Sequence, residues 1–204
     1  MNDRASSSHD PATRVRRSLE ESARVKRVVA ETLSRDLAQA AQWLVASFRA
    51  GGKALLFGNG GSASDALHIA AEWTGRLGAD RPALPALALP GNPSEVTAIG
   101  NDYGFERVFA RLVEAHGREG DVALAFSTSG NSPNVLAGVE EARRRRMRSV
   151  GLLGRDGGKL RQRVDLALVV PSEDTQRIQE AHIAMCHAVA EVVDRILFPE
   201  HVTG

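Results

Sequence analysis

Two loops and two helices carry the residues whose types and spacing could do chemistry. Gly58-Asn59-Gly60-Gly61-Ser62-Ala63 runs from an apolar stretch into a helical one. Glycines at such a turn let backbone N–H groups approach an anionic or hydroxylated ligand. Ser127-Thr128-Ser129-Gly130-Asn131-Ser132 closes a second apolar stretch and leads into a helix opened by Pro133. The hydroxyls of Ser127, Thr128, Ser129 and Ser132, together with free N–H groups at a helix N-terminus, can hold a phosphate monoester without lysine or metal. Either loop alone also reads as an N-cap with a polar turn. Two of them on one sheet favour a phosphorylated polyol as the ligand.

The first loop matches G-x-G-x-x-A, the dinucleotide fingerprint, which also requires an acid about 20 residues on, at the end of the next strand. Here that strand ends in Pro90-Gly91-Asn92, with no acid, so a nicotinamide or other nucleotide cofactor is not expected. A Walker A loop fits less well still, because Gly158-Lys159 is followed by Leu160.

On the helix after the first loop, His68 and Glu72 stand four apart and share a face. They could be two ligands of one ion, or a base and its orienter, although His-x-x-x-Glu also occurs on ordinary surface helices. The last helix carries Gln179, His182 and His187. A histidine on an apolar helical face is more often a satisfied core residue than a ligand. Gln179 and His187 are separated by about 12 Å of rise and roughly 80° of rotation. Both can reach one ion only through converging side chains, or if a neighbouring subunit supplies one of them.

The elements that must position these residues follow from periodicity. Residues 1–14 are polar and are expected to be a disordered tail. Apolar positions recur at helical spacing from Val15 to about Ala50, in one helix or two. Beyond Gly51-Gly52, apolar runs predict strands at Lys53–Phe57, Pro85–Leu89, Asp121–Ser127, Arg148–Leu153 and Asp165–Val170. Helical stretches between them are predicted at Ser62–Leu77, Ser94–Ile99, Phe105–Ala115, Pro133–Arg146, briefly near Lys159, and at Thr175–Leu197. Strands apolar at nearly every position and separated by helices indicate an α/β, doubly wound parallel sheet. At 204 residues, one domain over 15–204 is expected.

Composition excludes several function classes. Lys+Arg 26 against Asp+Glu 25 leaves a net charge of +1, with no global attraction for nucleic acid or anionic lipid. The basic cluster Arg143 to Arg146 with Arg148 reads as a solvated helix end complementing the helix dipole. The single cysteine, Cys186, cannot form an internal disulfide or a thiolate zinc cage and is expected to be a buried, inert thiol. Neither a signal peptide nor a membrane span is apparent, so a cytoplasmic protein is expected.

Taken in order along residues 30 to 198, the blocks Gly58-Asn59-Gly60-Gly61-Ser62 with Asp65, His68-Ile-Ala-Ala-Glu72, Ala98-Ile-Gly-Asn101-Asp102-Tyr-Gly-Phe, Gly120-Asp-Val with Ser127-Thr-Ser-Gly-Asn-Ser132, and Arg177-Ile-Gln179-Glu-Ala-His182 with His187 resemble the SIS (sugar isomerase) domain proteins. Within that family the chain is similar to the phosphoheptose isomerases. The resemblance implies a flavodoxin-like, five-stranded sheet and a homotetramer with active sites between subunits. It also implies interconversion of D-sedoheptulose 7-phosphate with D-glycero-D-manno-heptose 7-phosphate, the first step toward activated heptoses. Carried over by position, substrate contacts fall on Asn59, Gly60, Gly61, Glu72, Asn101, Asp102, Ser127, Thr128, Ser129, Ser132 and Gln179. Zinc ligands fall on His68, Glu72, Gln179 and His187. Acid/base catalysis through a cis-enediol would use Glu72 for the carbon-bound proton and His187 for the oxygen-bound ones. Where some members carry an aspartate three residues before the glutamine, this chain has Gln176. A rival reading is a non-catalytic SIS protein that binds the replication initiator. Such a protein has no need of the complete set His68, Glu72, Gln179 and His187. A transcriptional sugar sensor would require a DNA-binding domain, which residues 1 to 50 are too short to supply.

Overall fold

The computed structural model describes residues 10–78 and 80–201. Strands β1 (Ala54–Phe57), β2 (Ala86–Ala88), β3 (Val122–Ser127), β4 (Arg148–Gly154) and β5 (Leu166–Val170) form one sheet. All pairings are parallel and the spatial order is β2-β1-β3-β4-β5, the flavodoxin-like order. Every residue of β1 and β3 is buried, because helices cover both faces of the sheet.

Alternation along the strands feeds two cores. Leu56, Leu124, Phe126, Val150, Leu152 and Leu168 face a layer made by α1 (Pro11–Arg49), α2 (Gly61–Thr74) and α6 (Thr175–Leu197). Leu55, Phe57, Ala123, Ala125 and Leu153 face the layer of α3 (Pro93–Tyr103), α4 (Val108–His116) and α5 (Pro133–Arg144).

The 204-residue chain departs from the sequence reading mainly at helix ends. One continuous α1 begins at Pro11, four residues before the expected Val15. Asp10 accepts a bond from Thr13 N–H and Pro11 occupies the first turn, an N-cap followed by a proline whose missing N–H costs nothing there. The polar composition of the stretch hides this signal. Residues 1–9 of the expected tail lie outside the described residues. Gly104, at φ +87°, ends α3, and the helix expected at Phe105–Ala115 is split into a 3₁₀ turn, Phe105–Arg107, followed by α4.

The basic cluster behaves as a solvated helix end. Arg144 and Arg145 pair with Glu141, Arg146 faces Glu119, and Arg148 lies over the Trp43 ring at 4.6 Å. Cys186 is buried and unpaired, and burial pushes its thiol pKa up. Among the described residues, no helix is long and apolar enough to cross a membrane.

Candidate active site

In an open α/β sheet, ligands bind where the strand order reverses, beyond the carboxyl ends of the strands. Here that point lies between the neighbours β1 and β3, and both candidate loops emerge from it. The first turns at Gly60, whose backbone (φ +56°, ψ −122°) disfavours a side chain. Gly58 is equally constrained, since a Cβ there would come within 2.9 Å of the Phe126 Cβ.

The two loops are tied together by a pair of amides. Asn59 Nδ2 donates to Asn134 Oδ1, and Asn134 Nδ2 donates to Asn59 Oδ1, each at 2.8 Å. In the second loop, the Ser127 and Ser132 hydroxyls lie 3.1 Å apart in a mutual hydrogen bond. Ser129 Oγ accepts from Asn131 N–H, while the Asn131 amide oxygen accepts from Lys159 N–H. Gly130, at φ +64°, packs directly on the Gly157 carbonyl, leaving no room for a Cβ. Thr128 and Ser129 remain partly exposed. Helices α1, α3 and α6 begin with side chains bonded to their first N–H groups; α4, and α2 and α5, which follow the two loops, do not. In α2 the Ser62 and Ala63 N–H groups bond the Asn59 and Gly60 carbonyls, whereas in α5 the Asn134 and Val135 N–H groups have no partner among the described residues and are left for a ligand.

The acid/base candidates converge elsewhere, where α2 and α6 run side by side in the same direction. Glu72 Oε1 lies 3.1 Å from His68 Nε2, and His187 Nε2 lies 3.3 Å from that same His68 nitrogen. All three ligand atoms lie within 4.8 Å of one another. A single ring nitrogen facing both a carboxylate and a second ring nitrogen can serve only one of them by hydrogen bonding. A cation between the three would satisfy all of them. The 3.3 Å separation is also what two imidazoles keep across one tetrahedral zinc with Zn–N bonds of about 2.0–2.1 Å. The residues present therefore fit a zinc ion.

Gln179 does not join this group within one chain. Its amide packs against Gly61, where a Cβ would fall 2.5 Å from Nε2, and His68 lies about 10 Å further along α2. The separation expected from helical rise persists because the two helices run in the same direction. Asn101 and Asp102 are exposed on α3, and among the described residues their side chains bond only each other. His182 is the core histidine of α6: it is fully buried, with Nε2 at 3.0 Å from the Leu153 carbonyl and its pKa lowered to about 4 by burial. Asp65, one turn before His68, is half-buried with one carboxylate oxygen unpartnered. Burial raises its pKa to about 6, against the opposing pull of His68.

Sequence reasoning missed Asn134, only 2% exposed, since an asparagine after Pro133 reads as an ordinary helix start. Its partner is 75 residues away, so no local pattern marks the pair.

Residues 19–154 match the family model described as the SIS domain. A phosphoheptose isomerase of Pelobacter propionicus is 53% identical over 177 residues, covering 85% of this chain and 94% of its own. A phosphoheptose isomerase structure from Neisseria gonorrhoeae superposes with a TM-score of 0.86 at 44% identity, covering 91% of this chain and 99% of the other. One from Francisella tularensis gives 0.88 at 37% identity, with 91% and 99% covered.

Proposed function

The chain belongs to the SIS-domain family and, within it, to the phosphoheptose isomerases; on that premise we propose that it interconverts D-sedoheptulose 7-phosphate and D-glycero-D-manno-heptose 7-phosphate. It is a sugar-phosphate isomerase. The observation that carries the assignment to particular residues is the convergence of His68, Glu72 and His187 from two helices onto one point. A binding-only relative has no need of that arrangement, and the comparisons favour the isomerase over such a protein.

The reaction moves hydrogen without an external oxidant. Glu72 takes the proton from carbon 1 of the ketose while the carbon 2 oxygen is protonated, giving a cis-enediol. Return of a proton to carbon 2, with loss of the proton on the carbon 1 oxygen, yields the aldose. His187, beside His68, exchanges the oxygen-bound protons. Ser127, Thr128, Ser129 and Ser132 hold the phosphate, with Asn59, Gly60 and Gly61 lining the polyol. The phosphate's binding energy then positions the reacting carbons. Zinc would be held by His68, Glu72 and His187, and would polarise the substrate carbonyl. Glu72 stands in both sets, as ligand and as base.

Active sites completed between the subunits of a homotetramer belong to the same proposal. The His68 side chain is 49% exposed, Leu67 beside it is 45% exposed, and within one chain the Asn101 and Asp102 side chains bond only each other among the described residues while Gln179 packs against Gly61. A neighbouring subunit can supply them. A cytoplasmic setting is supported by the unpaired thiol of Cys186 and by the phosphorylated substrate.

Replacing the carboxylate tests the assignment. Glu72→Gln is expected to leave the circular dichroism spectrum intact and to lower kcat by about 10²- to 10⁴-fold. Substrate affinity, measured calorimetrically, should stay within about twofold of the wild type. Full activity in this variant removes Glu72 as the base.

A further inference from the structure

Three points along α6, spaced eight and seven residues apart, meet α2 or the segment that follows it. Gln179 meets Gly61, His187 meets His68, and Asp194 meets Arg81. The third contact lies beyond the end of α2 and in the last turn of α6. The Arg81 side chain has no exposed surface. Its Nε–H is shared between the two Asp194 oxygens, both at 3.1 Å. Nη1 donates to the carbonyls of Trp73 at 2.8 Å, Gly75 at 3.1 Å and Pro82 at 3.1 Å. Nη2 donates to the carbonyl of Glu72 at 2.9 Å.

The last carbonyls of a helix lack partners within it, and the helix dipole places negative charge there. Arg81 supplies α2 with both the donors and the cation, and one of the carbonyls it holds belongs to the proposed base. Through Asp194 the same guanidinium grips α6 two turns beyond His187, on the same face of the helix. Phe198 packs over its far side, 5.9 Å from ring centroid to guanidinium carbon.

We propose that Arg81 is a positioning residue for the acid/base trio: with Asp194 it sets the axial register of α2 on α6, and so the placement of Glu72 and His68 against His187. Lysine cannot replace it, because no ammonium group reaches a carboxylate and the Glu72, Trp73 and Gly75 carbonyls in one plane. The inference rests on the assignment of Glu72, His68 and His187 made above.

The test uses full-length Arg81→Lys, Asp194→Asn and the double variant, each assayed well below its melting temperature. Asp194→Asn keeps an acceptor for the Arg81 Nε–H and carries the test if Arg81→Lys does not fold. A displacement of about 1 Å at a reacting group costs about 10²-fold. Each variant is therefore expected to lose 10- to 100-fold in kcat, with KM for the sugar phosphate within about twofold, since the phosphate loop is elsewhere. Zinc affinity, read by competition with a chromogenic chelator, is expected to weaken by at least tenfold, as for groups that orient metal ligands. The double variant should be no worse than the poorer single one, because the pair acts as a unit. Lowered melting temperatures with wild-type kcat and wild-type zinc affinity would reduce Arg81 to a structural staple and overturn the proposal. The zinc arm separates the two claims. A wild type that binds zinc without turnover, beside variants that bind it weakly, overturns the isomerase assignment and leaves the clamp standing.

Discussion

Among individual residues, Asn134 is the one whose role depends most on the fold. It is buried, and both of its amide bonds go to Asn59 in the other loop. Asn134→Ala is expected to cost about 1–3 kcal/mol, because Asn59 loses both partners at a partly buried position. It should also raise KM several-fold with little change in kcat, since Asn59 would no longer be held toward the ligand. Urea denaturation and steady-state kinetics read the two effects. An unchanged KM would detach Asn59 from substrate binding. The residues legible in the sequence were those whose chemistry is local: Gly60 in a strained turn, the Ser127–Ser132 hydroxyl cluster, and His68 with Glu72 one turn apart. Asn134 and Arg81 were not legible. Their meaning is set by partners 75 and 113 residues away, brought close only by the winding of the chain around the sheet.

Helices and strands were legible wherever burial leaves a period. β1 is apolar throughout and β3 is apolar up to Ser127 because both faces are covered, and α6 was bounded correctly at Thr175 and Leu197. The start of α1 and the 3₁₀ turn at Phe105–Arg107 were missed, since a cap and a tightened first turn leave the hydrophobic pattern unaltered. His182 shows how an element can carry a pH dependence. It joins α6 to β4 through the Leu153 carbonyl, and its folded pKa of about 4 lies below the ordinary 6.5. As pH falls from 6.5, the unfolded chain takes up this proton before the native one does, so the histidine destabilises the fold progressively down to about pH 4. Asp65 acts in the opposite sense. Its folded pKa of about 6 lies above 3.8, so the native state gains relative stability over nearly the same window. The wild type alone therefore masks both effects. Comparing it with His182→Gln isolates one of them: the stability difference between the two is expected to shift in the variant's favour between pH 6.5 and pH 4. A difference independent of pH would mean that His182 is not a buried neutral imidazole.

For the molecule as a whole, the fold places both candidate loops at the switch point of the sheet and the proposed acid/base trio about 10 Å along α2 from Gly61 of the first loop, on a face that is partly open. Leu67 at 45%, Leu87 at 38%, and Val15 and Leu19 at 60% and 65% are large apolar side chains left exposed on one chain. Exposed apolar surface of this kind marks contact sites when it clusters. Light scattering after size exclusion is expected to give about four times the 21.9 kDa subunit mass, whereas a monomer would contradict sites completed between subunits. The most direct test of the central claim is turnover of D-sedoheptulose 7-phosphate by the purified protein, with the aldose product resolved by chromatography, in the presence of zinc and of a chelator. The predicted result is conversion to D-glycero-D-manno-heptose 7-phosphate with zinc and a large loss with the chelator. No conversion in either condition by a folded oligomer would contradict the account.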